Sequence, residues 1–280
     1  FQYLETENQD GVDVESGWPS TGYVQIQDFR MRYSTDLPLV LDNINLTIGP
    51  GERVGIVGRT GAGKSTLLLA LLRMMKPEEG TITIDGIDTS KIKLHDLRRR
   101  IGYIPQNPAL FSGTIRTNLD PFNQYPDSTL EKALQQVMLM SSSKADQSYI
   151  SQTLSLDSSV AAGGENISHG QRQLLCLARI LIQKHKLILL DEATSAVDVR
   201  TDEAIQRVIR ADQEQTLIVV AHRLKTVATF DKIVVMDSGK VVEQGSPSEL
   251  LEARGAFYGL VMNSKDSSDL VARITGKSRM

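Results

Sequence analysis

Apolar and polar residues alternate through Tyr23-Val24-Gln25-Ile26-Gln27-Asp28-Phe29, and residues 39–48 carry a second half-apolar run. A two-residue period turns one face of a segment toward a core, so both are predicted antiparallel strands in a leading β-lobe. The pattern then changes. Val54-Gly55-Ile56-Val57 is continuously apolar, a glycine-rich stretch follows, and residues 65–75 are spaced like a helix. A strand buried on both faces, then a loop, then a helix is the unit of a parallel sheet. Apolar runs at residues 188–190, 217–220 and 233–236 repeat that logic, so the core is predicted to be α/β. Residues 107–179 contain no strongly β-rich run. Their helical stretches are interrupted by Pro121, Pro126 and Ser141-Ser142-Ser143, which predicts a helical lobe inserted into the sheet domain.

The ends read differently. Residues 1–21 hold Glu5, Glu7, Asp10, Asp13 and Glu15 and close on Gly17-Trp18-Pro19-Ser20, so they are expected to be an acidic linker ahead of a folded domain at residues 22–262. Residues 263–280 are polar and are expected to be a loose tail. With 280 residues, 40% of them hydrophobic, the chain can bury a full core for one large domain with an embedded lobe. A net charge of −3 supplies no basic footprint, so nucleic acid is not an expected partner. A single cysteine, Cys176, is expected to pack in a core under reducing conditions. No stretch approaches the roughly 20 apolar residues of a spanning helix. The start, Phe1-Gln2-Tyr3, has no initiator Met and no signal pattern, so the chain is expected to be part of something longer.

Candidate chemistry sits where the pattern changes. Gly58-Arg59-Thr60-Gly61-Ala62-Gly63-Lys64-Ser65 matches G-x-x-x-x-G-K-[ST] between a buried strand and a helix, the context that the motif requires. Glycines let the loop fold back so that backbone N–H groups face a phosphate, and the dipole of the following helix adds to them. Lys64 is expected to bridge β- and γ-phosphates, with Ser65 offering its hydroxyl to Mg²⁺ and Thr66 next to it in the phosphate-binding set. Taken alone, this loop predicts ATP or GTP. The strand at residues 188–190 runs into Asp191-Glu192. A carboxylate at the tip of a neighbouring strand can complete the Mg²⁺ shell, which is assigned to Asp191, and Glu192 can act as general base on the attacking water.

Further segments, in chain order, resemble the ATP-binding cassette (ABC) family over residues 22–262. Gln106, after Ile101-Gly102-Tyr103-Ile104-Pro105, is similar to the Q-loop glutamine, which the resemblance implies senses Mg²⁺ and water. Ile167-Ser168-His169-Gly170-Gln171 is similar to the Leu-Ser-Gly-Gly-Gln signature, whose Ser168 and Gly170 would face a γ-phosphate held by a partner domain. Ser195-Ala196-Val197-Asp198 resembles the D-loop, His222 the switch histidine, and Tyr33 the A-loop aromatic that stacks on adenine. The implied fold is a P-loop NTPase core with an N-terminal antiparallel β-subdomain and an inserted α-helical subdomain. Leu110-Phe111-Ser112-Gly113-Thr114-Ile115, Asn118-Leu119-Asp120-Pro121-Phe122 and the retained Glu192 narrow the likeness to the second nucleotide-binding domain of the C subfamily, the multidrug-resistance-associated type.

The signature departs from its pattern at Ile167, which conserves volume, and at His169, a titratable ring where the family has glycine. His169 is expected to point away and be tolerated. Because signatures act on the partner's nucleotide, the resemblance implies two unequal sites. Lys64, Asp191, Glu192 and His222 belong to the hydrolytic one, and residues 167–171 to a weak or non-hydrolytic one. The implied cofactors are ATP and Mg²⁺. The implied partners are a first nucleotide-binding domain of the same polypeptide and transmembrane domains, on the cytoplasmic face of a membrane. The expected function is ATP-driven export of organic anions, conjugates or drugs; the alternative is a nucleotide sensor gating a channel.

Overall fold

The computed structural model describes residues 11–137, 154–192, 205 and 214–276. The strands in chain order are β1 (Val24–Met31), β2 (Leu41–Ile48), β3 (Arg53–Gly58), β4 (Glu79–Ile84), β5 (Ile87–Asp88), β6 (Ile101–Ile104), β7 (Gly113–Thr114), β8 (Ser159–Val160), β9 (Leu187–Asp191), β10 (Thr216–Val220), β11 (Lys232–Asp237) and β12 (Lys240–Gly245). The helices are α1 (Lys64–Leu71), α2 (Leu94–Arg100), α3 (Ile115–Leu119), α4 (Asp127–Gln136), α5 (His169–Gln183), α6 (Leu224–Val227), α7 (Pro247–Ala253), α8 (Ala256–Met262) and α9 (Ser267–Ile274). They divide into two compact units. The first comprises Phe1–Gly102, Lys186–Asp191 and Glu214–Met280; the second comprises Tyr103–His185 and Glu192–Gln213.

In the first unit, β1 pairs antiparallel with β2 and β4, and β5 extends the sheet beyond β4. Val24, Ile26, Phe29 and Met31 are its buried face, but Ile26 and Phe29 are three residues apart. A bulge repairs the period there. Asp28 takes a left-handed φ of 48°, its N–H donating to Asn45 Oδ1 at 3.0 Å, so that Phe29 returns to the core. A second sheet runs in the order β12-β11-β3-β10-β9-β6, the first two residues of β6 lying in this unit. β3 is parallel to both β10 and β11, and β10 is parallel to β9. β9 and β10 are buried at every position, which is why they read as unbroken apolar runs.

The second unit packs α4 against α5 through Leu130, Ala133 and Leu134 of α4 and an apolar stripe on α5. It also contains a short ladder absent from the sequence reading: β7 and β8 pair antiparallel, Gly113 facing Val160. Burial pushes the Cys176 thiol up against the opposing Arg179 charge, as suits an inert packing residue.

Both ends depart from expectation. Trp18 of the acidic stretch is buried, its Nε1 donating to Ile84 O at 3.1 Å, while Asp13 pairs with Lys93 at 2.6 Å. Residues 11–21 are thus tied to the first unit. Residues 267–274 form α9 instead of a loose tail, seated by Leu270, which is 1% exposed. Among the described residues no helix is long and apolar enough to cross a membrane.

Candidate functional site

Strand register brings the expected residues to one edge. Asp191 ends β9 beside Val220 of β10, and Val220 pairs with Ile56, two residues before Gly58. The loop after β3, the carboxylate ending β9 and His222 beyond β10 therefore share the carboxyl ends of parallel strands, where open α/β sheets bind ligands.

The loop is shaped by two glycines. At Gly58 (φ 149°) a Cβ would lie 2.1 Å from the Met236 carbonyl oxygen, and at Gly63 (φ 94°) 2.9 Å from that of Val40. Only glycine fits there without moving backbone. Arg59, Thr60 and Gly61 form the exposed tip, and Ala62 is buried. Gly63 is the N-cap of α1 and brings no side chain to the first-turn N–H groups. Lys64 is 8% exposed; its Nζ donates to Gly58 O at 3.0 Å and Arg59 O at 2.9 Å. A buried ammonium resting on loop carbonyls is positioned for an anion entering the loop.

Ser65 Oγ donates to Asp191 Oδ1 at 2.8 Å, which brings a hydroxyl and a carboxylate together at the start of α1. Tyr33 is half exposed, and its hydroxyl lies 2.8 Å from Thr66 Oγ1. This link between the aromatic and the phosphate loop was not read from sequence, because nothing in the spacing of residues 33 and 66 marks it. His222 is exposed at the end of β10. A cavity of about 480 Å³ is lined by Gly58, Arg59, Thr60, Lys64 and His222 together with residues of α8 and α9.

In the second unit Gln106 Nε2 donates to Glu192 Oε2 at 2.9 Å. Glu192 holds a left-handed φ of 47°, strained for a non-glycine residue. Ser168 is the N-cap of α5: its Oγ accepts from Gln171 N at 3.2 Å, and Gln171 Oε1 accepts from Ser168 N at 3.0 Å. This capping box satisfies two backbone donors reciprocally. Next to it, His169 Nδ1 is buried without a hydrogen-bond partner, and Gly170 is partly buried. Asn118 is structural. Its Nδ2 donates to Phe111 O at 2.8 Å and its Oδ1 accepts from Arg179 Nη2 at 3.0 Å, binding the loop to α5. Asp198 lies outside the described residues.

The sequence pattern of the family described as ABC transporter matches residues 41–195, more than half of the chain. ATP-binding cassette sub-family C member 2 of Rattus norvegicus is 48% identical over 262 residues, covering 92% of this chain and 17% of that protein. The ATP-dependent bile acid permease of Saccharomyces cerevisiae is 44% identical, covering 91% of this chain and 16% of its own length. The chain thus spans about a sixth of these relatives. Among solved structures, a bacterial Atm1-family ABC exporter with ATP bound aligns with a TM-score of 0.79 at 30% identity, over 94% of this chain and 44% of that one. The phosphate loop and the strand-end carboxylate thereby acquire a family context: the chain belongs to the ABC transporter family, as an ATP-binding domain of its ATPases.

Proposed function

We propose that this chain is the second nucleotide-binding domain of a C-subfamily transporter and hydrolyses Mg-ATP at its own P-loop to drive export. The observation that carries the reading is the Ser65–Asp191 pair at 2.8 Å beside the buried ammonium of Lys64. An alcohol and a carboxylate are hard oxygen donors and fit Mg²⁺, with Gln106 as a further oxygen ligand. The bound ion would neutralise charge on the β- and γ-phosphate oxygens.

The chain's own residues account for the rest. Lys64 exchanges its loop carbonyls for β- and γ-phosphate oxygens, and the N–H groups of residues 58–66 surround the phosphates. Glu192 accepts a proton from the attacking water, its carboxylate held by the Gln106 amide. His222 donates toward the γ-phosphate as charge develops on its oxygens. Tyr33 stacks on adenine. Ser168, His169, Gly170 and Gln171 face nucleotide held by a partner nucleotide-binding domain, and Asp198 joins that interface. The transported class, organic anions, conjugates or drugs, follows relatives such as the bile acid permease. The domain then works on the cytoplasmic face of a membrane, coupled to transmembrane domains. In the assembled protein Glu192→Gln should lower kcat at least ~100-fold while the affinity for ATP stays close to wild type. Near-normal turnover would remove Glu192 from the role of base.

A further inference from the structure

The cavity at the P-loop has a wall that no nucleotide-handling residue supplies. Leu260, Ser264, Lys265, Asp266 and Leu270, from the end of the chain, line it together with Gly58, Arg59 and His222. His222 leads through Arg223 into α6, a helix of four residues. One turn cannot hold its own position, because nucleation orders several residues for a single hydrogen bond. Its placement must come from what grips it.

Two grips are present. Val227 is fully buried against Gly55, where a Cβ would lie 2.6 Å from the Val227 Cβ. Lys225 Nζ reaches Asp266 at 3.1 Å and Asp269 at 3.3 Å, so one ammonium joins α6 to the start of α9. α9 is itself anchored by Leu270, and Arg273 Nε pairs with Asp269 at 3.1 Å one turn further along. A lone exposed ion pair contributes little. Here two carboxylates share one ammonium beside a buried leucine, so the charges select the seating of a helix that apolar burial stabilises.

We infer that Lys225 is a positioning residue: through Asp266 and Asp269 it fastens the His222 segment to the C-terminal helix. The end of the chain thereby sets where the histidine stands at the phosphate end of the cavity. The inference rests on the reading of His222 as a γ-phosphate contact. Coupling of this kind is reciprocal, so ATP in the P-loop protects α9 as docked α9 steadies His222.

Hydrogen exchange and ATP turnover of the assembled protein test it. Lys225→Glu should raise amide exchange at residues 222–227 and 267–274 several-fold and lower kcat about threefold, with KM for ATP within about twofold, the modest size following from exposed charges. Lys225→Arg should behave as wild type. Combining Lys225→Glu with Asp266→Lys, Asp269→Lys and Arg273→Glu, which reverses the Asp269–Arg273 pair as well, should restore exchange and kcat, and Leu270→Ala should loosen residues 222–227 without touching any charge. Unchanged exchange at residues 222–227 in Lys225→Glu, or a charge swap that restores nothing, would overturn the inference. Nucleotide affinity surviving in Lys64→Ala would instead sink the reading of the ATP site, while the exchange data would still decide whether the tail grips α6.

Discussion

The N-terminus of α1 and the N-terminus of α5 begin from the same physical resource and use it in opposite ways. Both present first-turn N–H groups and the positive end of a helix dipole. At α1 the cap is Gly63, which offers no side chain, and the nearest ammonium rests on loop carbonyls. At α5 the cap is Ser168, paired with Gln171 in a closed box. The first end is left open for an anion and shaped by glycines that tolerate no replacement. The second satisfies itself, and the Nδ1 of the adjacent His169 is buried without a hydrogen-bond partner. The difference teaches that the same helix end is left open where glycine caps it and closed where a serine–glutamine box satisfies it.

Substitutions can break that contrast from the cradle inward. Gly58→Ala should destabilise the first unit by about 3 kcal/mol, since the methyl must displace a β11 carbonyl and the backbone is strained, which urea unfolding would measure. Lys64→Ala should weaken ATP binding at least ~10-fold, equivalent to about 1.4 kcal/mol, as read by titration with a fluorescent analogue. Ser168→Ala should cost the second unit about 1 kcal/mol through loss of the cap and leave ATP affinity at the chain's own loop unchanged. A drop in that affinity would erase the contrast between the two ends.

The smallest expected effect lies outside both. Burial raises the Asp85 pKa, but hydrogen bonds from the Thr21 hydroxyl and the N–H groups of Thr21, Tyr23 and Ser20 outweigh it and hold the carboxyl below its usual 3.8. A depressed carboxylate stabilises the fold above its unfolded pKa and loses that contribution as pH falls through the lower folded value. Asp85→Asn, which tolerates the left-handed φ of 48° at this position, should therefore cost somewhat under about 1 kcal/mol at pH 7, and the difference from wild type should shrink in strong acid.

What the sequence made legible follows from how local each signal is. The P-loop and Asp191 are legible because each joins a short motif to a strand buried on both faces, and a parallel register brings those strand ends together, whereas His222 is a candidate only through the family resemblance. The weaker signals belong to long-range pairing. β4 is half exposed and alternates poorly, so only its ladder with β1 reveals it. Residues 11–21 read as linker because one indole is a weak signal among charges, yet Trp18, with its hydrogen bond to Ile84, docks them. The tail looked loose because α9 buries a single leucine fully, and its charged partner, Lys225, lies far away in sequence. The left-handed φ of Glu192 and the Asn118–Arg179 node carry no local mark, since both depend on where another chain segment passes.

Glu192, which follows Asp191 in the chain, is proposed as the base of the hydrolytic half of a composite site. The most direct test is the identity of the nucleotide that Glu192→Gln retains after incubation with Mg-ATP in the assembled protein and rapid removal of free ligand. Intact ATP is expected, held by a composite site that lacks only its base. Retained ADP, produced at the wild-type rate, would contradict it.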